Sequence, residues 1–274
     1  MKIKEVYVMI VFFIVILFTS MVGVSAADNE KGVVPDEPIL PTAICNYDSM
    51  SIDSVYMLSS ELDEVHNILN TIEDDMTDVE KALTVHDYMA LNYEYDYENY
   101  LNNTIPFVSY TKEGLLTYKT GVCQAYAETY EYIMNLLGIE CITILSNSMN
   151  HAWNMIKIDG DWYHVDVTWD DPVYDRVGRV RHEFFLVSDD EIENREHYDW
   201  VSSKTADSTI YDDYFWRDVD SRIVCLENTM FYIDSDGIYK RSTMDNSSEL
   251  IYNMDWETWG SENGGYWFGI FFRS

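Results

Sequence analysis

Positive charge is what this sequence most lacks. Only 17 lysines and arginines stand against 49 aspartates and glutamates, a formal net charge of −32 over 274 residues. Neutralising nucleic-acid phosphates takes clustered Lys and Arg, so a nucleic-acid partner is excluded, and docking on anionic lipid with it. The acidity suits two roles that charge alone does not separate. One is the solubility of a secreted protein, the other attraction of a cationic substrate such as a Lys-bearing peptide. Cysteine is also scarce: Cys45, Cys123, Cys141 and Cys225 are all there are. They are too few for the dense disulfide framework of small secreted domains. There is no zinc-ligand spacing, P-loop, dinucleotide fingerprint or EF-hand loop, so no metal or cofactor is expected. The longest apolar run, 6–18, is short for a membrane-spanning helix. It follows Lys2 and Lys4, with Glu5 between, and leads to the small residues Val24-Ser25-Ala26. That is the layout of a signal peptide over 1–26, which implies a secreted or cell-surface protein with no stable membrane insertion after cleavage. No cysteine closely follows the run, so a lipoprotein anchor is not expected.

What is present points to a folded protein. Hydrophobic residues make up 47% and aromatics 15%, with 22 tyrosines and 8 tryptophans. This fits a globular core with aromatic-rich strands or an aromatic-lined groove, and excludes disorder. A linker at 27–44 precedes a main domain at 45–200, and a β-rich region at 201–274 follows. Residues 60–72 are amphipathic, with Leu62, Val65, Ile68, Leu69 and Ile72 on one face. A second helix starts at Thr77, where Glu80 three residues on completes a capping-box pattern. Val79, Ala82, Leu83, Met89 and Ala90 mark its buried side, and His86 beside them reads as a core residue rather than a ligand. A polar, Tyr- and Asn-rich stretch runs to about position 111. The next helix covers 121–137 and stops at Gly138. The period then changes to two: strands are expected at 139–145, 151–158, 161–169 and 184–187. Asp159-Gly160 is a type I′ hairpin turn between the second and third. In the last region, short aromatic runs at 230–233 and 266–268 alternate with turn signals at Asp236-Gly237 and Gly264-Gly265.

Chemistry concentrates in the middle of the chain. With Thr120 as N-cap, Cys123 sits near the N-terminus of its helix, where free N–H groups and the helix dipole favour a thiolate. Taken alone, a small buried apolar cysteine explains that position as well. A two-residue turn at Asp159-Gly160 sets Ile158 opposite Asp161, Trp153 opposite Asp166, and His151 opposite Thr168. His151, Trp153, His164, Asp166 and Thr168 then share one sheet face. His151 and Asp166 become diagonal neighbours, roughly 7–8 Å apart at the backbone and closer at their tips. A thiol, an imidazole and a carboxylate are the parts of an activated nucleophile. Periodicity does not bring Cys123 to His151. Cys141 reads as packing. His164 fits either the site lining or a structural hydrogen bond, and Trp153 either a water shield or ordinary core. Asp170-Asp171-Pro172 reads as a turn.

Three segments resemble one family. Gly121-Val122-Cys123-Gln124-Ala125-Tyr126-Ala127 is similar to the nucleophile motif of bacterial transglutaminase-like proteins. Asn150-His151-Ala152-Trp153-Asn154 resembles their histidine motif, and the run from Trp162 through Asp166 to Pro172 their aspartate motif. Val85-His86-Asp87-Tyr88 with Tyr95-Asp96 resembles the helix preceding their core. The likeness spans about 79–190. It implies an α+β fold with a papain-like core, in which N-terminal helices and the cysteine helix pack on an antiparallel sheet, followed by the small β-rich unit. It further implies Cys123 as nucleophile, His151 as general base and then acid, and Asp166 as orienter. The reaction would be attack on a carboxamide or peptide carbonyl of a protein or peptide, cell-wall peptide included, through a thioester. Hydrolysis would make the chain a cysteine peptidase or amidase; amine transfer would make it an acyltransferase. Gln124 stands where animal transglutaminases commonly have tryptophan, and their calcium requirement is not carried over. The Cys123 backbone N–H is a natural oxyanion donor. Gln124, an upstream tyrosine or a backbone group is the alternative for the second. Trp153 and His164 are the remaining candidates to line the site. A binding module for cell-wall or surface proteins on the same scaffold is the alternative function.

Overall fold

The computed structural model describes residues 52–171, 173, 178–234 and 236–254. They fall within the unit Ser49–Ser274. The signal-peptide and linker segments, Cys45, and the aromatic run at 266–268 lie outside the described residues.

The first helix, α1, spans Ile52–Leu69 and so begins earlier than periodicity suggested. Val65 and Ile68 face the core, but Leu62 is 40% exposed. Helix α2, Asp78–Asn92, starts as its capping box requires. The Glu80 N–H donates to Thr77 Oγ1 at 3.3 Å, and the Thr77 N–H donates to the Glu80 carboxylate at 2.8 Å. The Tyr- and Asn-rich stretch is not featureless. Strand β1 (Glu94–Tyr95), helix α3 (Tyr97–Asn102), a 3-10 turn (Phe107–Tyr110) and helix α4 (Lys112–Tyr118) lie within or just beyond it. These elements are too short to show a hydrophobic period, and tertiary packing rather than propensity holds them.

Helix α5 covers Cys123–Leu136 and is capped by Val122, not Thr120. Thr120 and Gly121 are instead strand β2, paired in parallel with β1. The Val122 N–H is taken by the Ser109 carbonyl at 2.9 Å. These bonds hold the chain extended up to Val122, so helical winding begins at Cys123. Gly138 ends the helix with φ +78°, as its place in the sequence predicted.

The central sheet is antiparallel in the order β3 (Cys141–Ser146), β4 (His151–Ile158), β5 (Asp161–Val165), β6 (Phe185–Val187). Asp159 and Gly160 both take positive φ, 52° and 97°, and Ile158 faces Asp161, as a type I′ turn demands. Strand β5 stops four residues earlier than expected. Asp166 leaves the ladder and caps helix α6 (Val167–Asp170), its side chain accepting the Trp169 N–H. The expected pairings of Trp153 with Asp166 and of His151 with Thr168 are therefore not made; the ladder ends at Asn154 opposite Val165. Helix α5 packs on this sheet, and the Asn154 side chain donates to the Ala127 carbonyl at 3.0 Å. Helix α7 (Asp189–Asn194) follows β6, and its Ile192 packs with Ile144, Trp153, Met155 and Val187.

A second antiparallel sheet, β7 (Val224–Leu226), β8 (Thr229–Asp234), β9 (Gly237–Ser242), β10 (Ser248–Asn253), forms a meander. Its turn falls one residue before the expected Asp236-Gly237, because Asp234 pairs with Gly237. Gly237 is a strand residue where an added Cβ would lie 2.0 Å from the Tyr252 carbonyl oxygen. Trp216, Ile223, Cys225, Met230 and Tyr232 belong to the same buried apolar cluster as Leu83, Met89 and Tyr130. The mixed α+β fold is thus helices with two antiparallel sheets.

Candidate active site

Cys123 is the first residue of α5 and is partly exposed. Val122 makes no side-chain cap, so no side chain competes for the first N–H groups of the helix. His151 opens β4, and Asp166 follows the last residue of β5 as the N-cap of α6, so a strand start and a helix cap meet. His151 Nε2 lies 2.6 Å from Asp166 Oδ2. Burial alone would lower the His151 pKa. The Asp166 charge and hydrogen bond, with a hydrogen bond and charge from Cys123, outweigh it and raise the imidazole to about 10. Burial pushes the Asp166 carboxyl upward, but His151 and His197 together hold it well below the ordinary carboxylate range. Thiol, imidazole and carboxylate therefore form one chain of contacts, which the sequence could arrange only in part.

Trp153 and His164 support this chain from behind. The Trp153 ring stacks on His151, centroids 5.7 Å apart and 18° from parallel. The indole N–H donates to His164 Nδ1 at 2.9 Å, and His164 Nε2 lies 2.8 Å from Asp189 Oδ1. Indole only donates, so His164 Nδ1 must carry a lone pair. Burial accordingly lowers the His164 pKa, even with Asp189 beside it. His164 is fully buried and so does not line the site; of its two expected roles the structural hydrogen bond is the one realised. The Gln124 side chain is turned to Glu128 on the exposed face of α5, at 2.8 Å. Among upstream tyrosines, Tyr95 neighbours the thiol. Burial first, and then the Cys123 charge, raise its hydroxyl pKa. Cys141 is buried as expected, and burial pushes its thiol well up.

Sequence reasoning missed His197, whose Nε2 lies 2.8 Å from the same Asp166 oxygen. It follows α7, outside any periodic element, so no pattern marked it. It also undervalued Asp170 and Asp171. Asp171 accepts from the Tyr126 hydroxyl at 2.6 Å, and Asp170 accepts from His86 Nε2 at 3.1 Å and from the Phe184 N–H. His86 is fully buried, as a core residue should be. Its Nδ1 meets Asp87 at 2.9 Å, and Asp87 also takes His182 Nε2 at 3.0 Å and the Ile223 N–H at 2.8 Å. Burial would lower the His86 pKa; Asp170 and Asp87 raise it to about 9. This second network ties α2 and α6 to the start of the C-terminal sheet.

Two groups of ligand-type side chains could hold a metal among the described residues: His151, Asp166 and His197, and His86, Asp87 and His182. Tetrahedral ligands bound at about 2.0–2.1 Å stand about 3.3 Å from one another. The observed 2.6 and 2.8 Å, and 2.9 and 3.0 Å, are shorter and match charge-assisted hydrogen bonds. The residues fit a hydrogen-bond network rather than an ion site.

A sheet carrying histidine and aspartate, with a cysteine at the head of the helix packed on it, defines a class of thiol-centred α+β domains. Residues 66–167 match the family described as the Transglutaminase-like superfamily, and the chain carries a domain of that superfamily. It is similar to kyphoscoliosis peptidase of Homo sapiens, 26% identical over 132 residues, covering 43% of this chain and 19% of that protein. The Mus musculus kyphoscoliosis peptidase is 25% identical over 116 residues, covering 37% and 17%. The chain thus spans about a fifth of the length of these relatives. A crystal structure of a TGase aligns with 45% of this chain and 34% of its own at 16% identity and a TM-score of 0.36. That likeness is too slight to carry functional weight.

Proposed function

We propose that this protein is a secreted thiol acyl-transfer enzyme acting on carboxamide or peptide bonds of proteins or peptides, with a papain-like core. Cys123 is the nucleophile, His151 the base and then the acid, and Asp166 the orienter. The Cys123 sulfur bonds to the carbonyl carbon while His151 holds the proton that the thiol has given up. Collapse of the tetrahedral adduct breaks the C–N bond, and the amine leaves with that proton. Water or a second amine then adds to the thioester carbonyl, returns a proton through His151, and releases the thiol. The N-terminal N–H groups of α5 are the donors nearest to the developing oxyanion. The observation that carries this reading is the 2.6 Å contact of His151 with Asp166 on one side and the Cys123 thiol on the other. The apolar run at 6–18 and the small residues after it support the secreted location. Among the described residues no helix is long and apolar enough to cross a membrane.

The test is alkylation of the reduced protein by iodoacetamide, mapped by mass spectrometry. Cys123 is expected to label fast and the buried Cys141 and Cys225 slowly. His151→Ala is expected to slow Cys123 by roughly a hundredfold or more, the scale of a lost general base. Cys123→Ala is expected to remove labelling there and all turnover without loss of fold. Labelling of Cys123 that ignores His151 would refute the enzyme reading and leave the binding module in its place.

A further inference from the structure

Asp166 Oδ2 receives two imidazoles rather than one. His151 Nε2 stands 2.6 Å away and His197 Nε2 2.8 Å away, while Asp166 Oδ1 is occupied by the Trp169 N–H at 3.2 Å. An ionised carboxylate only accepts, so each Nε2 must bear its proton and donate. His197 is fully buried, inside a cage of rings: Trp169 at 4.4 Å, Trp153 at 5.0 Å and Phe184 at 5.1 Å between centroids. Its backbone is held in place by the bond from its N–H to the Ile192 carbonyl, 3.1 Å. Glu196 before it and Asp199 beyond it both take left-handed backbone, φ 73° and 55°. Non-glycine residues seldom adopt that region, and such conformations persist where surrounding structure enforces them. The chain after α7 is bent to deliver this one ring to the carboxylate.

We propose that His197 is a positioning residue for the acyl-transfer reaction: its Nε2–H fixes the Asp166 carboxylate and shares the oxygen that binds His151. This rests on the proposed function of Cys123, His151 and Asp166. With Oδ2 held by His197 and Oδ1 by the Trp169 N–H, the buried carboxylate stays ionised and aimed at His151, and so maintains the imidazolium beside the Cys123 thiol. The charged and titratable groups around His197 are Asp166 directly, His151 across it with Cys123 beyond, and His164 on the far side of Trp153, itself held by Asp189.

The experiment compares Cys123 labelling from pH 4 to 10 in wild type, His197→Phe and His197→Gln. Phenylalanine keeps the ring in its cage and deletes the donor; glutamine keeps an N–H donor and loses the ring. His197→Phe is expected to label about ten- to a hundredfold more slowly at neutral pH, the worth of one hydrogen bond to a charged group. Its acid limb should move to higher pH, because Asp166 loses a partner of its ionised form. His197→Gln should recover part of both. A His197→Phe profile matching wild type, or a glutamine variant no better than phenylalanine, would overturn the proposal. In the wild type, 15N NMR of the histidines should find His197 Nε2 protonated from pH 5 to 9. A lone pair there would overturn the proposal even if neither variant folds. Labelling that ignores His151→Ala refutes the enzyme reading and this role together. His151-dependent labelling with an unaltered His197→Phe refutes this role alone.

Discussion

Replacing Asp166 by asparagine removes one charge and almost no volume, yet it disturbs both the hydrogen bonds and the charge balance of the site. One carboxylate oxygen now serves His151 and His197 while the other caps α6 through the Trp169 N–H. Asparagine has a single acceptor oxygen, so it can serve the imidazoles or the cap but not both. In either orientation its amide hydrogens meet another donor. The larger effect is on His151. Burial is the strongest influence on that imidazole and acts to lower its pKa; the Asp166 charge is the next and raises it. Without the charge, only Cys123 opposes burial, and the His151 pKa falls well below about 10. Cys123 then loses the cation that would stabilise its thiolate. The labelling rate of Asp166→Asn at pH 7 should drop by about 10²–10⁴, the upper figure being the cost of the like change in a serine protease triad. Alkylation kinetics against pH, with near-ultraviolet circular dichroism to verify the fold, is the assay. Wild-type rates in a folded Asp166→Asn protein between pH 5 and 9 would refute the chain of contacts from carboxylate to thiol.

Stability against pH should report both buried His–Asp networks. Asp166 and Asp87 are depressed, so their contribution is complete above the unfolded value of 3.8 and is lost as pH falls further. His151 and His86 are raised to about 10 and about 9, so theirs is complete below 6.5 and fades as pH climbs through those values. The urea midpoint should therefore be highest between about pH 4 and 6.5, fall gradually to about 10, and fall steeply in acid; a flat profile would contradict the ion pairs. Asp87→Asn leaves His86 and His182 without their shared carboxylate, a break expected to cost about 3–5 kcal/mol. Urea unfolding checks the loss. Amide exchange at Ile223, whose N–H binds Asp87 at 2.8 Å, should rise; unchanged protection there would show that the network does not anchor the C-terminal sheet.

Much of this molecule was legible one residue at a time. The capping box at Thr77 and Glu80, the stop at Gly138 and the Asp159-Gly160 turn are local devices, whose bonds close within a few residues, and all three stand as read. The face shared by Trp153 and His164 followed from alternation around that turn, and the indole bond to His164 confirms it. Wrong readings arose where a distant partner took over a backbone group. Thr120 looked like an N-cap, but β1, far earlier in the chain, claimed Thr120 and Gly121 as a strand. Residues 166–169 looked like a strand continuing, but Asp166 turned to cap α6, with its own N–H held by the Phe184 carbonyl at 3.0 Å.

The sequence by itself determined the residue types of the candidate site, their order, a helix that carries Cys123 near its start, and the hairpin turn between His151 and Asp166. Tertiary structure alone decided that thiol and imidazole meet, because nothing periodic links a helix end to a strand start. It alone recruited His197, from an irregular segment beyond α7, to the carboxylate. It also made Asp170 a buried partner of His86 rather than a turn residue, and set Asp87 between His86 and His182. A carboxylate buried there would be costly unless paired. Its partners stand up to 136 positions away, a distance that spacing and propensity do not span.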